Sequence, residues 1–372
     1  MENNNSVCFV ARINEIKPIE GADNIELAVI GGWNCIVKKG SHKDGEYVGI
    51  ATTDAVIPQG LSDAMNVTNY LRKGGRVRTV KLRGVYSECL VIPNQFLPVG
   101  YNSEGKDLME AMNIFKYEPP TVQVQLSSGR KIRYSQNPNF HVYYKFPNLK
   151  NVQGMFNEGD VVEITRKIHG TNARYGIVKK KKVSLWDRVR KLFGAEYVDY
   201  EYVYGSHNLE KGSDSQGFYD TDVWRTVAEK YNIRENLWRL FRALKNEYNI
   251  EEGIVIYGEI YGAGIQKNYD YGLKEIEYAG FDVTINGEYC NVHRSSAIHD
   301  FMKLNNAPIL HYGCWLQELQ DSFVFNNFIE GTKVPHEGIV IKAIDGNRHK
   351  VAKVINPDYL IYGEKNNVGD SH

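Results

Sequence analysis

Cysteine is scarce and carries no pattern. The five residues Cys8, Cys35, Cys89, Cys290 and Cys314 lie far apart, and no two stand in Cys-x-x-Cys spacing. An odd, scattered set excludes a disulfide framework and a cysteine zinc site, and it fits a reducing compartment. Excess charge is lacking too. Forty-five Lys and Arg balance 45 Asp and Glu, so any affinity for a polyanion must come from local basic surface. No apolar run approaches the roughly 20 residues that cross a bilayer. The start, Met1-Glu2-Asn3-Asn4-Asn5, has neither the basic nor the apolar part of a signal peptide. The expectation is a soluble cytoplasmic protein with no membrane partner, and nothing calls for an oligomer, so a monomer is expected. At 372 residues there is room for two domains, each with its own core.

From Val7 to about Pro98 short alternating stretches are cut by glycine turns. Val7, Phe9, Ala11 and Ile13 share one face; Ile25, Leu27 and Val29 share another before Gly31-Gly32. Several short strands with few helical periods imply a small barrel, of OB type, and a first domain over residues 1–118. Within it, Leu71 to Arg83 holds six basic residues and no acid. Arg76 and Arg78 are candidates for a surface that follows a phosphate backbone, the alternative being a solvated hairpin face. Residues 116–151, with Pro119-Pro120, Pro138 and Pro147, read as a junction into a second domain over 119–372. There Asp222 to Asn249 carries a helical stripe (Trp224, Val227, Ala228, Tyr231, Leu237, Leu240, Phe241, Leu244), which is core packing. A second helix is expected over Ser295 to Leu304, and a short basic amphipathic one over Leu185 to Phe193. Helices flanking antiparallel sheets make the fold class α+β.

The chemistry is carried by a series of short segments. Glu163-Ile164-Thr165-Arg166-Lys167-Ile168-His169-Gly170-Thr171-Asn172 ends an alternating strand on a lysine and turns at His-Gly. A lysine amine is a nucleophile only without its proton, which burial or nearby cations favour. Gly258-Glu259, Gly280-Phe281-Asp282 and Glu337-Gly338 each set a carboxylate beside glycine in an apolar run, a way to present a metal ligand to a cleft. Lys350 and Lys353 follow on one more apolar strand. Each segment alone also reads as an ordinary strand end.

In this order, Lys-x-His-Gly, Gly-Glu, Gly-Phe-Asp, Glu-Gly-x-Val-x-Lys and a lysine-bearing strand, the series resembles the covalent nucleotidyltransferases, which comprise ATP-dependent DNA ligases, RNA ligases and capping enzymes. The His-Gly-Thr-Asn continuation is similar to the RNA ligases. Gly21 to Ala28 and Arg76 to Gly84 resemble the N-terminal OB domain of the family-5 RNA ligases, of the Deinococcus/Naegleria type. The resemblance implies sealing of RNA 3′-OH and 5′-phosphate ends with ATP and Mg²⁺ or Mn²⁺. It makes Lys167 the nucleophile, with Lys350 and Lys353 as catalytic cations, and Glu259 and Glu337 metal ligands. It sets Lys167, His169, Gly170, Glu259, Phe281, Ile339 and Lys353 around the nucleotide, and Asn172, Arg76 and Arg78 on RNA. Three departures stand out: His207 where Arg is usual, Arg166 where Glu is common, and Lys350/Lys353 three apart instead of two. The alternatives are a DNA ligase or capping-type transferase, or a non-catalytic RNA-binding protein with an OB module.

Overall fold

The computed structural model describes residues 6–117, 136–214, 217–218, 222–347, 350–366 and 368. The expected junction prolines Pro119 and Pro120, and Met1–Asn5, lie outside the described residues. The chain divides into two compact units, one of residues 1–123, 147–156 and 354–365, the other of 124–146, 157–353 and 366–372. The expected boundary at 118/119 is close to the first break, but two later segments group with the first unit.

That unit contains β1 (Cys8–Arg12), β2 (Glu15–Pro18), β3 (Ile25–Ile30), β4 (Trp33–Lys38), β5 (Tyr47–Thr52), β6 (Ala55–Val56), β7 (Val80–Leu82), β8 (Val85–Ser87), β9 (Cys89–Ile92) and β10 (Phe115–Lys116), with one short helix, α1 (Gln59–Ala64). Strands β1, β5 and β9 form one antiparallel sheet and β2, β3 and β4 another. Alternation buries Ile13, Ile30 and Ile50 completely between them. Residues 147–156 join this unit through specific bonds: the Trp33 indole donates to Asn151 Oδ1 at 3.1 Å, and Lys150 pairs with the buried Glu88.

Arg76 and Arg78, the candidates for a phosphate track, are both engaged within the unit. Arg76 pairs with Asp54 and lies over the Tyr117 ring, 4.1 Å from its centroid. Arg78 donates to Glu364 at 3.0 Å and to the Tyr70 carbonyl. Arg72 reaches the same Glu364, and Lys81 reaches Asp358 at 3.6 Å. Asp54, Asp358 and Glu364 thus stand against Arg72, Arg76, Arg78 and Lys81.

The second unit holds two sheets. Its strands are β11 (Val161–Lys167), β12 (Thr171–Lys179), β13 (Tyr200–Gly205), β14 (Glu210–Ser213), β15 (Gly217–Phe218), β16 (Gly253–Gly262), β17 (Ile276–Ile285), β18 (Glu288–Tyr289), β19 (Asn305–Asn306), β20 (Ile309–Cys314), β21 (Gly338–Ala343) and β22 (Val351–Ile355). The larger sheet runs β15-β14-β13-β12-β16-β17-β18 with β19 beside β17; the smaller runs β20-β11-β21-β22. The helices are α2 (Leu185–Leu192), α3 (Val223–Lys230), α4 (Ile233–Leu244), α5 (Val292–Phe301), α6 (Gln317–Val324) and α7 (Pro357–Asn366), most of which groups with the first unit. The helical stripe over 222–249 is therefore two helices. Asn232 breaks them with φ 50°, a left-handed conformation that asparagine tolerates. Leu237, Leu240 and Phe241 still face the core beside Tyr200 and Ile250. The helix expected over 295–304 begins earlier, at Val292, because Asn291 caps it by accepting the Arg294 N–H. No described helix is long and apolar enough to cross a membrane.

Helix α5 packs on β17 at a close approach. A Cβ on Gly280 would stand 2.6 Å from the His299 ring, so only glycine fits there. His299 is fully buried, its Nδ1 2.9 Å from Asn306 Oδ1, and burial pushes its pKa down to about 4. A folded value below the unfolded one of about 6.5 means that the unfolded chain binds the proton better. The contribution is whole above pH 6.5 and is lost as pH falls toward 4, at most about 3 kcal/mol. Urea unfolding between pH 7 and 4 should show this slope, and His299→Gln should flatten it while leaving the part due to His336, which burial also lowers.

Candidate active site

Strand β11 carries the nucleophile candidate. Val162 and Ile164 are fully buried on one face; Glu163 and Thr165 are buried on the other, which Lys167 shares at the strand end. β11 pairs with β21 so that Lys167 lies opposite Gly338. That register brings in Glu337, whose Oε1 accepts from Lys167 Nζ at 2.5 Å. Glu337 is wholly buried, whereas the lysine side chain remains 19% exposed, so the pair faces the cleft through the lysine. Gly338 has φ +151°, open to glycine and strained for other residues.

Beyond Lys167 the turn must pass β16 closely. A Cβ on Gly170 would meet the Ile260 carbonyl oxygen at 2.1 Å, and the Gln266 side chain closes on the Gly170 carbonyl. This approach sets the Gly170 N–H on the Glu259 carboxylate. Burial pushes Glu259 up to about 8; the Lys167 ammonium opposes the shift, Glu337 adds to it, and the Gly170 N–H lowers it. Two carboxylates thus converge on one ammonium. No described group of three His, Cys, Asp or Glu could hold a metal ion by itself. The donor set still fits a divalent cation, since Glu259 is a desolvated acid that a cation would return to its charged form, and water or phosphate can complete an octahedral shell.

Beside Lys167 lies a cavity of about 160 Å³. It is smaller than the roughly 300 Å³ at which ordinary ligand sites begin, so it suits one flat ring system and not a whole nucleotide. Tyr143, Phe146 and Phe281 supply its aromatic wall, Ala307 and Val340 its aliphatic one, and Lys342 its charged end. Phe281 is there because of a β-bulge. Tyr257 pairs with Asp282 and Gly258 with Gly280, which leaves Phe281 as the extra residue. A bulge turns two successive side chains toward one side. Asp282 accordingly points beside Phe281, accepts from Lys342 Nζ at 3.0 Å and from the Tyr143 hydroxyl at 2.5 Å. Lys342 also donates to the Phe281 carbonyl at 2.6 Å. Glu163 is nearby; burial raises its pKa and Lys342 opposes the shift.

The family model for RNA ligases matches residues 160–355, more than half of the chain. The chain belongs to the RNA ligase family. An OB-fold domain model matches residues 7–94 of the first unit. Among solved structures, a ligand-free mutant of the Naegleria gruberi RNA ligase is similar at 22% identity, with TM-score 0.71, covering 97% of this chain and 98% of that one. A second mutant of the same enzyme, solved with ATP and manganese, is similar at 21% identity and TM-score 0.72, covering 96% and 99%. A third, with AMP and manganese, gives the same figures. These likenesses establish the fold. No curated protein matches in sequence.

Against this RNA ligase site the candidate residues sort clearly. Lys167, Glu259, Glu337, Phe281 and Asn172 come together, with Gly170 making the approach that holds them. Asn172 lines the base-sized cavity, its Oδ1 buried. Three candidates lie outside the cavity lining. Ile339 faces the other side of β21, since alternation gives the cavity Val340 and Lys342. His169 packs its ring edge-on to Tyr269 at 5.0 Å and is not among the lining residues. Lys350 donates to Asp160 at 2.7 Å, and its carbonyl accepts from Ala343 N–H, whose strand position is opposite Val162. That is the far end of β11, about 17 Å from Lys167 at 3.4 Å per residue. Lys353 is half-buried within β22, on the Lys167 side of that hairpin. His207 is near Lys145 and Arg174, and burial with both cations lowers its pKa. Arg174 is fully buried, donating to the Ser206 and Phe140 carbonyls, and serves as a strut.

Sequence reasoning did not name Tyr143, Phe146, Val340 or Lys342 as site residues, although Val340 and Lys342 belong to the Glu-Gly-x-Val-x-Lys segment. For the last two a signal existed, because they stand one and two strand periods from Gly338 on one face. The buried Lys342–Asp282 pair should behave as buried ion pairs do. Asp282→Leu alone is expected to cost about 3–5 kcal/mol in urea unfolding, and adding Lys342→Met should recover most of it.

Proposed function

We propose that the protein is an ATP-dependent RNA ligase that joins a 3′-OH to a 5′-phosphate through a lysyl-AMP intermediate, with Mg²⁺ or Mn²⁺. The observation that carries this reading is Lys167 Nζ, 2.5 Å from a buried carboxylate at the rim of a base-sized aromatic cavity. Family membership supports the reaction class, and the ATP, AMP and manganese of the similar Naegleria gruberi structures support the nucleotide and metal.

In this mechanism the adenine enters the cavity against Phe281, which sets the α-phosphate near Lys167. Glu337 Oε1 is the acceptor in contact with Nζ, so it aims the amine and is the first acceptor for the proton that the amine sheds. Lys167 then attacks phosphorus; the N–P bond forms as the bond to pyrophosphate breaks. Glu259 and Glu337 would hold a divalent ion, which would supply Lewis-acid stabilisation of the phosphate charge. Lys353 adds positive charge from β22. A 5′-phosphate oxygen of RNA next displaces Lys167 from the AMP phosphorus, and the 3′-OH finally displaces AMP.

Lys167→Ala should lose all covalent label from radioactive ATP on a denaturing gel while still sealing a pre-adenylated strand. Label on that variant would remove Lys167 from the reaction. Glu259→Ala and Glu337→Ala should each lower label formation by about a hundredfold or more across a metal titration. Val340→Phe fills the cavity and should raise the KM for ATP by at least about tenfold, whereas Ile339→Val, on the opposite face, should leave it unchanged. Equal KM values for these two variants would relocate the base.

A further inference from the structure

Helix α2 is apolar along one side, and no core covers that side. Leu185, Trp186, Leu192 and Phe193 are 77–86% exposed and Val189 is 40% exposed; no residue of the helix is buried. At about 100° per residue these five fall within an arc of roughly 120°, and Asp187, Arg188, Arg190 and Lys191 fill the opposite arc. The helix is firmly built despite its isolation. Ser184 Oγ accepts the Asp187 N–H at 3.0 Å, the Asp187 carboxylate accepts the Ser184 N–H at 3.3 Å, and Lys180 and Asp199 tie the two ends through ion pairs. Residues 179–193 carry seven cations, Lys179, Lys180, Lys181, Lys182, Arg188, Arg190 and Lys191, against the single acid Asp187.

Charge and geometry together select the occupant. A second copy would set seven cations against seven. RNA would need a run of stacking faces beside its phosphates, but only Trp186 and Phe193 could stack on bases, and Leu185, Val189 and Leu192 offer none. An anionic lipid surface meets both arcs, since acyl chains take the apolar side while headgroups meet the flanking cations. We propose that α2, with Lys179–Lys182 at its root, docks this protein reversibly on an anionic lipid surface. This departs from the expectation of no membrane partner: no described helix can cross a bilayer, whereas α2 would lie in the interface. So short an apolar stripe binds weakly alone, which makes the docking dependent on lipid charge and salt.

The test is flotation of the full chain with vesicles of phosphatidylcholine alone, or with about one third phosphatidylglycerol. Co-flotation with the anionic vesicles at least about tenfold above the neutral ones, abolished near 1 M salt, is expected. Leu192→Glu with Phe193→Ser should abolish it without moving the thermal unfolding midpoint, because these side chains touch no core. Lys182→Glu with Arg188→Glu should weaken it at low salt. Absence of co-flotation, equal binding to neutral vesicles, or undiminished binding by the apolar double variant would each overturn the proposal. A single-stranded RNA measured by fluorescence anisotropy gives the rival outcome: an apolar variant that loses RNA affinity, with no vesicle binding by the parent, reassigns α2 to RNA.

Discussion

The cleft depends on the ion pair between Lys167 and Glu337, and that pair depends on strand register. β11 and β21 align so that Lys167 faces Gly338, and the residue before that glycine then delivers its carboxylate to Nζ. A slip by one residue would turn Lys167 to the other face of the sheet and separate the two groups. The register is held by buried Val162, Ile164, Ile339 and Ile341, so an ordinary apolar sheet interior positions the charged pair at its rim. Glu259 comes from the other sheet and is brought in only because Gly170 leaves room for the Ile260 carbonyl.

Charged groups near this cleft are buried to an unusual degree, and the two most enclosed cations have partners that make burial tolerable. Lys342 is neutralised by Asp282, and Arg174 is spread over two carbonyls. Such groups add little net stability compared with apolar packing, but they restrict the geometries that leave every charge satisfied. A rigid wall is what a base-sized cavity requires.

The sequence made the chemistry more legible than the scaffold. Lys167, Glu259 and Glu337 could be read from a local pattern: Lys167 ends an alternating strand just before the His169-Gly170 turn, and each carboxylate stands beside a glycine in an apolar run. Ile339 and Val340 stand on opposite faces of β21, and which face lines the cavity is decided by pairing with β11 and not by the segment itself. Lys350 is carried by a hairpin to the far end of β11. Arg78 meets Glu364, 286 residues away in sequence, a partner that no local pattern supplies. Tyr143 and Phe146 sit in a stretch that reads as a polar junction, and no periodicity marks them. The division of residues 147–156 and 354–365 from their sequence neighbours is likewise fixed by remote contacts such as Trp33 to Asn151.

The bulge at Phe281 links two properties that most enzymes keep apart. One extra residue in β17 turns a wall of the cavity and the anchor of a buried ion pair to the same side, on consecutive positions. Lys342 then binds both, through the Phe281 carbonyl and the Asp282 carboxylate. Base preference therefore cannot drift freely at Phe281, since a change that moves its backbone also loosens Lys342. Evolution of a different nucleotide preference has its open routes at Phe146 and Val340, where a side chain can change size without unseating a charge, whereas Tyr143 is tied to Asp282 through its hydroxyl.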